Sequence, residues 1–172
     1  MDPAMAGHAI NSISNPAERR VARLLRDVGL EFVAANSMFY DAGHVPTAEV
    51  DLVFASGGTT WIVEVSENRQ LQGRRKKRKR LREWATKEGA ARIAAKHELP
   101  KRNDVRLVYF DMSARPEGAG ARDPKERDGV VILYREHVLG LERAVRRARA
   151  AMMDEFGGLV GTHRSDGAAA GA

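Results

Sequence analysis

The chain has 172 residues, 43% of them hydrophobic and 30% charged, enough for one domain with a real core. It contains no cysteine, which excludes disulfides, thiolate metal sites and cysteine nucleophiles. The net charge of +6 and the pI near 10.0 point to a polyanionic partner. No apolar window is long enough to span a bilayer and residues 1–10 carry no signal-peptide run, so a soluble, cytoplasmic protein with no membrane partner is expected.

Residues 1–14 are small and polar and are expected to be disordered. A helix follows from Asn15: Asn15 suits the N-cap, Pro16 the first helical position, and Glu18 lies three residues beyond the cap. Val21, Leu24, Leu25 and Val28 recur at helical spacing and Gly29 is placed to end the element. Residues 31–35 read as a strand, 36–46 as a loop or irregular hairpin arm, and 49–54 and 59–65 as two strands joined by Ser56-Gly57-Gly58. Residues 73–97 are helical in composition and Pro100 stops them. Residues 104–112 form an apolar strand, 114–128 a mobile surface loop, 129–134 a last strand and 135–156 a final helix. The expected order is α-β-β-β-α-β-β-α, an α/β fold with a mixed β-sheet flanked by helices. One domain spans residues 15–156, and a flexible Gly/Ala-rich tail spans 157–172.

Chemistry concentrates in residues 48–66, AEVDLVFASGGTTWIVEVS. Strand side chains alternate between faces, so Ile62, Glu64 and Ser66 share one face and Trp61, Val63 and Val65 the other. Asp51 and Glu64 are each embedded in apolar strand residues, where a carboxylate costs free energy unless paired or metal-bound. On consecutive strands of one hairpin they come within reach of one ion. Mg²⁺ (or Mn²⁺) takes such hard oxygens, with the Val65 carbonyl as a third, and assists phosphodiester hydrolysis. The competing reading makes Asp51 and Glu64 solvent-facing residues of an edge strand.

Downstream lies a run of seven cations, Arg74, Arg75, Lys76, Lys77, Arg78, Lys79 and Arg80, extended by Arg82. At the start of a helix such charges oppose the macrodipole and repel one another, which suggests an anion beside them. With no interleaved aromatics, contact with DNA phosphates is expected rather than base stacking. A solvated helix face or a nuclear-localisation-like signal are the alternatives.

These residues, in this order of elements, resemble the PD-(D/E)xK nuclease superfamily over residues 15–112. The layout looks most like archaeal Holliday-junction resolvases and is also similar to endonuclease subunits of heteromeric transposases. In that family a helix bearing a Glu precedes a hairpin carrying an Asp and then (D/E)-x-K. Glu18 matches the helix acid, Asp51 the Asp and Glu64 the first acid of (D/E)-x-K. The resemblance implies a restriction-endonuclease-like fold and a metal-dependent, structure-selective DNA endonuclease acting as a homodimer or with a partner subunit.

The chain departs from the pattern twice. Thr47-Ala48-Glu49-Val50 stands where a Pro often precedes the Asp, and Ser66 replaces the Lys that orients the attacking water. A cation from the next helix (Lys76, Lys77 or Lys79) or a polar side chain (Asn68 or Gln70) then substitutes for it, or the site is inert. The last case makes the chain a non-catalytic DNA-binding or assembly module on a degenerate fold; an RNA-binding accessory protein is a third reading. Glu18 has a second explanation as the acid of a capping box. Asp111 reads as a strand-end cap, Trp61 and Trp84 as core. His8, His44, His97, His137 and His163 lack metal-ligand spacing.

Overall fold

The computed structural model describes residues 2–67, 70–100, 104–114 and 119–165. Two compact units divide the chain, Met1–Val138 and Leu139–Ala172. The first contains α1 (Pro3–Asn11), α2 (Pro16–Asp27), β1 (Glu31–Tyr40), β2 (Pro46–Ser56), β3 (Thr59–Ser66), α3 (Leu71–Glu83), α4 (Lys87–Lys96), β4 (Asp104–Asp111), β5 (Lys125–Arg127), β6 (Val130–Tyr134) and the first turn of α5 (Arg135–Ser165). A single mixed sheet runs in the order β1-β2-β3-β4-β6-β5. β3, β4 and β6 are mutually parallel and the remaining pairs antiparallel. The chain is therefore an α/β protein with a mixed six-stranded sheet flanked by helices.

The sequence explains most of these elements. Asn15 caps α2, its Oδ1 accepting from the amides of Ala17 and Glu18, a cap of about 1 kcal/mol. Val21, Ala22, Leu24 and Leu25 are buried along one stripe of α2, which packs on β1, β2 and β3. Gly57 and Gly58, with φ of 54° and 81°, close the two-residue β2–β3 turn, where glycine takes positive φ at no steric cost. On one face of the sheet Val53, Ile62, Leu107, Tyr109, Val130, Ile132 and Tyr134 pack with Leu81 and Trp84 of the α3 segment and Ile93 of α4. Strand alternation sends the buried Leu52, Phe54, Val63, Val65, Val108 and Phe110 to the opposite face.

Several expectations are corrected. Residues 3–11, expected to be disordered, form α1: Asp2 Oδ1 accepts from the Ala4 amide, Pro3 takes the first turn, and Ala6 and Ile10 are buried, as is Ile13 just beyond the helix. The single helix over 73–97 is two helices. The chain turns at Trp84–Thr86, and the Thr86 Oγ1 accepts from the Gly89 amide to start α4. Gly89 is required there, because a Cβ would stand 2.4 Å from the Glu83 carbonyl oxygen. The segment after residue 35 is an irregular hairpin arm, one of its two expected readings: β1 runs on to Tyr40 with Asn36 at φ 50° and a register shift between Phe39 and Tyr40, and Asp41 Oδ1 closes the β1–β2 turn by accepting from the amides of Gly43 and Val45.

Residues 125–127 of the expected loop pair with β6 around Asp128-Gly129, whose φ values are 54° and 74°. Residues 115–118 of that loop lie outside the described residues. α5, expected to end at 156, runs to Ser165 and takes in residues 157–165 of the expected tail; 166–172 lie outside the described residues. No helix among the described residues is long and apolar enough to cross a membrane.

Candidate active site

Asp51 and Glu64 lie one residue beyond the paired Leu52 and Val63 on the antiparallel β2 and β3, so the pleat points them to the same face. Both are buried, at 6% and 5% exposure. Between them sits the ammonium of Lys77, from the second turn of α3. Lys77 Nζ is 3.0 Å from Asp51 Oδ2, 3.4 Å from Glu64 Oε2 and 2.9 Å from the Val65 carbonyl oxygen. Asp51 Oδ2 also accepts from the Val65 amide at 2.8 Å, which fixes the carboxylate against β3. Two carboxylates and one carbonyl thus converge on a single cation.

The electrostatics follow from burial. Burial and the neighbouring Asp51 charge push the Glu64 carboxyl up to about 8, against the pull of Lys77 and Arg80. Burial drags the Lys77 ammonium down, but the charges and hydrogen bonds of Asp51 and Glu64 outweigh it and hold Lys77 above its ordinary value. Among the described residues no group of three or more His, Asp or Glu side chains forms a metal cage. The hard-oxygen set here is the carboxylate pair with a backbone carbonyl, donor chemistry that suits Mg²⁺ or Mn²⁺.

Glu18, near the start of α2, is also buried, and no hydrogen bond from its carboxylate returns to the Asn15 amide to complete a capping box. Burial, then the Asp51 charge, raise its carboxyl to about 7, with Lys77 opposing and Glu49 and Glu67 adding to the rise. It therefore feels the same charges as the pair on the strands. Ser66 is buried on the Glu64 face, its side chain against the Tyr109 hydroxyl, which burial raises and Ser66 lowers. The cation among the acids comes from α3 and not from the strand position that Ser66 occupies. Of the other substitutes, Lys76 and Lys79 are exposed, Gln70 is the N-cap position of α3, and Asn68 lies outside the described residues.

The basic run splits by helical phase. α3 begins at Leu71, so the cations occupy its fourth position onward and only Arg74 falls in the first turn, a correction to a run opening the helix. Arg74, Lys77 and Arg78 share the inward phase of Leu81. Arg74 Nη1 donates to Asp111 Oδ2 at 2.7 Å, and Arg78 lies over the Tyr109 ring at 5.9 Å. Arg75, Lys76, Lys79 and Arg80 are exposed and make no ion pair or hydrogen bond among the described residues.

A second anchor has no counterpart among the sequence expectations. Arg122 donates to both carboxylate oxygens of Glu136, stacks over the Tyr134 ring at 3.6 Å and approaches Asp111 at 3.7 Å. Those hydrogen bonds hold the Glu136 carboxyl down at about 2. Asp111, buried at 3%, caps its strand by accepting from Ser113 as well as binding Arg74, so it seats α3 and does not join the carboxylate pair.

No family model, curated protein or solved structure matches this chain. Trp84 packs in the core against Phe39 and Trp61 is half-buried. His97 binds Ser37, and His137 Nδ1 accepts from the Tyr134 amide, so neither belongs to the site.

Proposed function

We propose that this chain is a metal-dependent DNA endonuclease with a restriction-endonuclease-like, PD-(D/E)xK arrangement in which Lys77 takes the part of the missing motif lysine. One observation carries the reading: Asp51 Oδ2, Glu64 Oε2 and the Val65 carbonyl all face one ammonium nitrogen within 3.4 Å. Oxygens that gather around a monovalent cation in a buried pocket have the charge and donor type to hold Mg²⁺ or Mn²⁺. Such an ion supplies Lewis-acid polarisation of a phosphoryl oxygen and a bound water of lowered pKa.

The chain's own residues do the rest. Asp51 and Glu64 would hold the ion, with the Val65 carbonyl as third donor. Lys77 is half-buried on a flexible four-carbon stem. Its ammonium would yield those oxygens to an ion, and the stem is long enough to keep that positive charge available to the developing phosphorane and to an attacking water. Glu18, raised to about 7, can take a proton from a water on the α2 side at neutral pH. The exposed cations of α3 grip the DNA backbone, and the chain works on it alone, as a homodimer or with a partner subunit.

The test is cleavage of supercoiled, branched and single-stranded DNA with Mg²⁺ or Mn²⁺ and with EDTA. Asp51→Ala and Glu64→Ala are each expected to abolish metal-dependent cleavage while leaving DNA binding largely intact; cleavage that survives both removes the enzyme reading. A second reading has its own support, because Lys77 already bonds every oxygen a metal would use. On that reading Lys77 closes the site, and the chain is a non-catalytic DNA-binding or assembly module. The wild type then binds DNA without cutting any substrate.

A further inference from the structure

α3 has a second basic flank, turned away from the carboxylate pair. Arg75, Arg78, Lys79 and Arg82 follow at helical spacing, and across from them stands the tip of the β5–β6 hairpin with Arg127, Asp128 and Val130. Together they line a cleft of about 450 Å³. Five cations meet one carboxylate there. Asp128 answers two of them, Arg82 at 2.8 Å and Arg127 at 3.8 Å. Arg75 and Lys79 have no anionic partner among the described residues.

The cleft is built by the fold and is not a by-product of the sequence run. Arg127 is remote in sequence from the α3 cations and is delivered by the Asp128-Gly129 turn, whose positive φ values set the hairpin tip. The Arg82–Asp128 pair ties that tip to α3. Arg78 is held from below by the Tyr109 ring. Like charges gathered on a fixed frame repel one another, and an anion relieves that repulsion. No aromatic side chain lines the cleft, so base stacking is not what it offers.

We infer that this cleft is a phosphate-binding site for a stretch of nucleic-acid backbone separate from the one at Asp51 and Glu64. The inference deepens the proposed function and rests on it for the identity of the polyanion. Its chemistry is phosphodiester recognition by guanidinium and ammonium groups, which carries no base sequence. A chain that grips backbone on two flanks of one helix holds two backbone stretches at once, as a duplex or a branched DNA presents and a short single strand does not.

The experiment compares the full chain with the triple variant Arg75→Gln, Lys79→Gln, Arg127→Gln and with a charge-matched control, Lys87→Gln, Arg106→Gln, Lys125→Gln, at exposed positions outside the cleft. Binding to a fluorescent 30-base-pair duplex and to one of its strands is titrated across salt in EDTA. The cleft variant should lower the slope of log K against log salt by about 2.7 for duplex, at roughly 0.9 for each phosphate it no longer neutralises. The loss on the single strand should be smaller, and the control should keep the wild-type slope. Equal slopes for cleft variant and control on both DNAs overturn the inference. Equal losses on duplex and single strand overturn its two-stretch form. Metal-dependent cleavage, assayed in parallel, separates the readings: a nuclease that cuts but shows no slope change loses only the cleft, and a slope change without cleavage loses only the nuclease.

Discussion

The inward and outward cations of α3 are the same residue types in one unbroken run, yet they have different partners. Arg74, Lys77 and Arg78 end against Asp111, the Asp51–Glu64 pair and the Tyr109 ring. Arg75, Lys76, Lys79 and Arg80 end in solvent. Arg74 and Lys77 neutralise carboxylates whose burial would otherwise be costly, and with Arg78 on the Tyr109 ring they fix the helix to the sheet. The outer four contribute little to the fold, because exposed charges without an ion pair are worth almost nothing to stability, although Arg80 still draws on the Glu64 charge. A charge run is therefore two devices, sorted by the 100° step of the helix.

The contrast breaks most sharply at Lys77. Lys77→Met should reduce metal-dependent DNA cleavage by about 10²–10³-fold, the usual loss on deleting one donor to developing charge, with duplex binding in EDTA nearly unchanged. A gain of cleavage in that variant would instead make Lys77 a plug. The next effect is on stability. Arg74→Ala leaves the buried Asp111 with Ser113 and, as its only cation among the described residues, Arg122 at 3.7 Å, and should cost about 3 kcal/mol in urea unfolding, whereas Arg75→Ala one residue along should stay within about 0.5 kcal/mol. Similar losses at the two positions would erase the distinction between the flanks.

The smallest effect is in acid. The Glu136 carboxyl is held at about 2 by Arg122, below its ordinary 4.5. A depressed folded pKa stabilises the fold above the unfolded value, and that stabilisation fades as pH falls from about 4.5 toward 2. Glu136→Gln should lower stability at neutral pH, flatten its further loss between about 4.5 and 2 and leave the slope between pH 7 and 8 unchanged, measured by unfolding at a series of pH values.

Local signals made much of the fold legible. The Gly57-Gly58 turn, the alternation through Asp51 and Glu64 and the Asn15-Pro16 helix start are each set by a few adjacent residues. The misses had signals too. Asp2-Pro3 with Ala6 and Ile10 is a cap and a buried stripe, and Asp128-Gly129 is the dipeptide that favours a tight hairpin. Thr86 with Gly89 marks a new helix start inside an otherwise helical composition. The phase of Leu81 and Trp84 would have sorted the basic run, since Arg74, Lys77 and Arg78 precede Leu81 by seven, four and three residues.

No such pattern announces the Arg122–Glu136 and Arg74–Asp111 pairs. Their partners are 14 and 37 residues apart; the first meet across the base of the β5–β6 hairpin and the second where α3 packs on the end of β4. The phase of Leu81 separates Lys77 from Lys76 and Lys79, but that Lys77 rather than Arg74 meets the acids depends on where α3 crosses the end of β3.

The central claim, that Asp51, Glu64 and the Val65 carbonyl form a site for a divalent cation, is tested most directly by thermal unfolding with Mn²⁺ and with EDTA. The wild type should be stabilised by Mn²⁺, by about 2.7 kcal/mol at a hundredfold excess over Kd. Lys77→Met, freed of the competing ammonium, should be less stable in EDTA and gain more. Asp51→Asn and Glu64→Gln should gain little. If Mn²⁺ stabilises neither the wild type nor Lys77→Met, or stabilises Asp51→Asn and Glu64→Gln just as much, the oxygens around Lys77 are not a metal site.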